Sequence, residues 1–175
     1  VSQDEADESQ FRLAMLWDEL RQRSRESPFA VLGMLDIVSS LGQSGVSISK
    51  ALRPIIGQSV RLAEKLGTRS LLQFLMTLLG PFPSRRPPTT ALSEIRRSVS
   101  NATAEAPEEA LSFLRDQGEQ NSSPPAVVMT GLADGLVKSK SVSDRTAELL
   151  SLSDEALLAL LGYGPQFARE LVNTI

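Results

Sequence analysis

The sequence has no cysteine and no histidine among its 175 residues. Without cysteine there is no disulfide and no thiolate nucleophile. Without histidine the commonest general base and metal ligand is missing. A serine nucleophile would have to rely on a lysine or a carboxylate, and a metal would have to be held by oxygen alone. No calcium-loop spacing, Gly-x-Ser-x-Gly elbow, Walker loop or dinucleotide fingerprint is present. Aromatic residues are sparse, at 5%, so the apolar content is mostly Leu, Val, Ile and Ala. No stretch reaches the roughly 18–20 apolar residues of a membrane span. The longest apolar run, Leu71 to Leu79, is interrupted by Gln73 and Thr77. No segment alternates as a half-buried strand does.

What is present reads as helix throughout. The expected fold is all-α, a bundle of about eight or nine helices. Phe11, Leu13, Met15, Leu16, Trp17 and Leu20 stripe a first helix ending near Arg25. Ser27-Pro28 has the form of a cap followed by proline at the first helical position, starting a second helix that runs to about Leu41 and stops at Gly42. A third helix opens near Ser47 or Ser49 and is either kinked or begun by Pro54; Gly67 stops it. Thr68 or Ser70 caps a fourth, which reads as apolar on nearly all sides: Leu71, Leu72, Phe74, Leu75, Met76, Leu78 and Leu79. A helix of that kind has to be covered all round, making this one the central core helix or the lining of an apolar ligand cavity.

Pro81, Pro83, Pro87 and Pro88 exclude a helix and divide the chain into units 1–80 and 91–175, joined by a connector over 81–90. The two units are also compatible with one shared domain. Beyond the connector, helices are expected from Thr90 to Asn101, from Pro107 to Gly118, from Pro124 to Lys138, from Ser143 to Leu150, from Ser153 to Leu161, and from Pro165 onward. Several landmarks recur at an offset of 96: Ser27-Pro28 with Ser123-Pro124, and Val46-Ser47 with Val142-Ser143. They suggest a duplication in which the Leu-rich helices of the two units pack against each other. Ordinary helix capping explains the same landmarks.

The net charge of −3 and the pI near 5.1 argue against a nucleic-acid binder, which would carry a basic field. The charge is segregated: residues 1–26 carry seven acids and four bases, residues 27–90 two acids and seven bases, and residues 91–175 twelve acids and seven bases. The basic middle segment suits an acidic partner, a second copy of the chain included. Arg85-Arg86 resembles a dibasic processing site, with Pro87 set against cleavage. Acid pairs such as Glu108-Glu109 and Asp154-Glu155 fall in first helical turns, where they complement the helix dipole, and no pair is singled out as catalytic. Two Leu-x-x-Leu-Leu matches, at 75–79 and 157–161, are accounted for by core packing. Asn101 and Asn121 lie in glycosylation sequons expected at loops or helix ends. The start at Val1 fits a processed chain or an excised fragment, and with the sequons it leans toward a secreted or extracellular chain, the alternative being a soluble intracellular one.

These residues lead to the expectation of a non-enzymatic interaction or assembly protein that uses no cofactor and binds a protein partner or itself. A carrier of lipid or another apolar ligand comes second, and a carboxylate-based hydrolase third.

Overall fold

A computed structural model describes residues 3–41, 45–79 and 89–175. Among them are ten α-helices and no strand: α1 (Gln3–Glu26), α2 (Pro28–Leu41), α3 (Gly45–Leu66), α4 (Thr68–Leu79), α5 (Thr89–Glu105), α6 (Pro107–Glu119), α7 (Ala126–Lys138), α8 (Thr146–Leu150), α9 (Asp154–Tyr163) and α10 (Pro165–Thr174). The chain is all-α, as its periodicity requires. The proline connector, Arg85-Arg86, Gly42 and Ser2 lie outside the described residues.

Local chemistry sets most of the boundaries. Ser27 Oγ accepts from Ala30 N at 3.4 Å, and Ser153 Oγ from Ala156 N at 3.3 Å, so both serines cap the helices expected of them. Prolines open α2, α6 and α10. Gly67 separates α3 from α4 at φ 120°, a conformation that side-chain-bearing residues avoid. Other boundaries differ from the sequence reading. Pro54 lies inside α3, which begins at Gly45. α5 runs past Asn101 to Glu105. α8 begins at Thr146 rather than Ser143, because residues 142–145 form turns. There the Thr146 hydroxyl donates to the Val142 and Ser143 carbonyls, a bond within the turn rather than a cap.

The buried side chains form one contiguous cluster running from Leu20 on α1 to Leu171 on α10. α5 is the link: it packs on α3, α4 and α6, and most extensively on α7. The neighbours of α4 are α2, α3, α5 and α6, while those of α9 are α6, α7 and α10. The two Leu-rich helices thus do not form the expected extensive pairing; they share only α6 as a common neighbour. α1 has 24 residues against 13 in its counterpart α6, and α3 has 22 against 5 in α8, so helix signals in the same order produce elements of very different reach.

α4 is central but not apolar all round. Leu71, Leu72, Phe74, Leu75 and Leu78 are buried, and Met76 and Leu79 half-buried. Arg69, Gln73 and Thr77, spaced four apart, form a solvent-facing polar stripe. Phe74 meets the ring of Phe29 edge-on, with centroids 5.8 Å apart. Thr68 does not spend its hydroxyl on the helix start: buried, it donates to the Ala102 carbonyl at 3.0 Å and ties α4 to α5.

Candidate functional site

The most extensive helix–helix contact among the described residues is the seam between α5 and α7. Gly131 and Gly135, one turn apart on α7, face α5. A Cβ on Gly131 would come 2.7 Å from Val99 Cβ, and one on Gly135 would come 2.5 Å from Thr103 Cβ and 2.6 Å from the Ser100 carbonyl oxygen. The two glycines let the backbones meet almost directly. Contact partners rise together along both chains, from 96–99 opposite Gly131 to 100–103 opposite Gly135, so the helices run parallel here. The seam closes over two hydroxyls: Ser100 Oγ and Thr103 Oγ1 are buried without a hydrogen-bond partner. A buried, unpaired hydroxyl costs about 1–3 kcal/mol.

Between α5 and α7 on the solvent side lies an open groove of about 310 Å³ lined by Ser93, Arg96, Arg97, Ser100, Asp134 and Lys138. Arg96 spans it, donating from Nε at 2.9 Å and Nη2 at 2.6 Å to Asp134 Oδ2. Lys138 closes α7, where a cation complements the helix dipole. Across the ridge of α5, a second groove of about 240 Å³ lies against α3, lined by Gly57, Val60, Arg61, Glu64, Glu94, Arg97, Ser98 and Asn101. Glu94 pairs with Arg53 at 3.5 Å on its rim. Arg97 belongs to both grooves.

Other ion pairs lace the surface. Arg69 joins Asp116, linking α4 to α6, and Arg145 lies 3.5 Å from Glu108 and 3.4 Å from Glu148. All are well hydrated, and each contributes about 0–1 kcal/mol. They position helices rather than support them. No group of three or more acidic side chains converges on a metal-sized site among the described residues.

Under the loop before α7, a cavity of about 30 Å³, roughly the volume of one water, is lined by residues that include Leu114, Met129 and Ser153. The α4 residues singled out from sequence line none of these pockets; their side chains are spent on the core. In the two Leu-x-x-Leu-Leu stretches, Leu75, Leu78 and Leu160 are buried, whereas Leu158 is 66% exposed. Asn101 is exposed but inside α5, and its sequon partner Thr103 is fully buried. Asn121 is exposed in the turn after α6 with φ 51°.

Two large apolar residues on α1 face away from the fold: Phe11 is 69% and Met15 59% exposed, four residues apart and opposite buried Leu20 and Ser24. Val172 and Ile175 at the end of α10 are likewise exposed, Val172 beside a shallow depression with Ala168, Arg169 and Asn173. Among the described residues, no helix is long and apolar enough to cross a membrane.

The α5/α7 seam and its groove were not found from sequence. The Gly-x-x-x-Gly spacing at 131–135 was the available signal; the pairing of Arg96 with Asp134, 38 residues apart, had none. No family model, curated protein or solved structure matches this chain.

Proposed function

We propose that this chain is a non-enzymatic assembly protein that associates with a second copy of itself. The observation that carries this is the outer face of α1. Phe11 and Met15 stand there in water, next to two acidic turns with exposed Asp4, Glu5, Asp7 and Glu8. Apolar residues at i and i+4 are the anchors by which a helix docks on a partner. An acidic, apolar helix face calls for a cationic counterpart, and α3 and α5 carry exposed Arg53, Arg61, Arg96 and Arg97. One chain thus holds both halves of a complementary pair.

The test is sedimentation over a concentration series at low and high ionic strength. The wild-type chain is expected to pass from monomer to dimer with concentration, and less readily in high salt. A Phe11→Ser/Met15→Ser chain, altered only at exposed positions, is expected to remain monomeric with unchanged helix content. A wild-type monomer at every concentration in low salt overturns the reading. A co-purified adduct of a few hundred daltons in native mass spectrometry would replace it with the carrier of an apolar ligand.

The two sequons support placing this assembly on the secretory route. Asn121, exposed in its turn, is the site open to a glycan. A glycan on Asn101 would lie over the α3/α5 groove.

A further inference from the structure

No further inference is drawn: the strongest candidate, the exposed apolar patch of Val172 and Ile175 at the end of α10, beside the shallow depression with Ala168 and Arg169, carries nothing because nothing in the structure shows what covers it.

Discussion

Replacing Gly135 with alanine tests the α5/α7 seam most directly, because two opposing terms are both known. Alanine is favoured over glycine inside a helix by about 1 kcal/mol. Against this, the new Cβ would sit 2.5 Å from Thr103 Cβ, 2.6 Å from the Ser100 carbonyl oxygen and 2.9 Å from Thr103 Cγ2. One of these atoms is backbone and another is the branching carbon of a β-branched side chain, so neither can rotate away. The helices must separate by roughly an ångström, which loosens the most extensive helix contact in the molecule. Overpacking of this kind costs about 1–3 kcal/mol, and with backbone in the way the upper half of that range applies. The net expectation is a destabilisation of about 1–2 kcal/mol, or a melting temperature lower by roughly 2–8 °C for a chain of this size. Gly33→Ala is the matched control: Gly33 is exposed within α2, and a Cβ there meets nothing within 4 Å. It should stabilise by about 0.5–1 kcal/mol. Urea and thermal unfolding followed by circular dichroism would measure both. If Gly135→Ala is as stable as Gly33→Ala, the helices do not approach as described and the reasoning about the seam fails.

Thr103→Val keeps the shape at the same seam and removes its unpaired hydroxyl. It should leave stability unchanged or raise it by about 1 kcal/mol. A loss of more than about 1 kcal/mol in urea unfolding would mean that the hydroxyl has a partner. If the chain takes the secretory route, expression through it should add one glycan that disappears on Asn121→Gln. A chain whose mass is unchanged by deglycosylation refutes that part of the reading.

Much of the fold was legible because helix ends are decided locally. Ser27 and Ser153 cap with hydroxyls three residues from the amides they serve, and Pro28, Pro107 and Pro165 supply the backbone angle of a first turn wherever they stand. Errors arose where an expected cap had a competitor, distant in one case and local in another. Thr68 sits where a capping residue belongs, yet its hydroxyl goes to Ala102. Ser143 has a cap's sequence context, yet the chain turns through residues 142–145 before α8 begins. The candidate site was less legible than the fold. The exposed pair on α1 looks in sequence like any other part of an apolar stripe. Only packing shows that Leu20 is buried while Phe11 and Met15 are not.

By itself, then, the sequence determined the all-helical class, the absence of thiol and imidazole chemistry, and most helix starts, since each depends on residue type or on contacts within a few positions. Which helices pair was a tertiary decision. α4 turned from the Leu-rich helix of the second unit to α3 and α6, and α5 joined α7 because two glycines a turn apart admit a neighbouring backbone. The groove with Arg97, Lys138 and Ser100 exists because of that pairing. Its walls are about 40 residues apart in the chain, and no periodicity within either helix determines what will stand across from it.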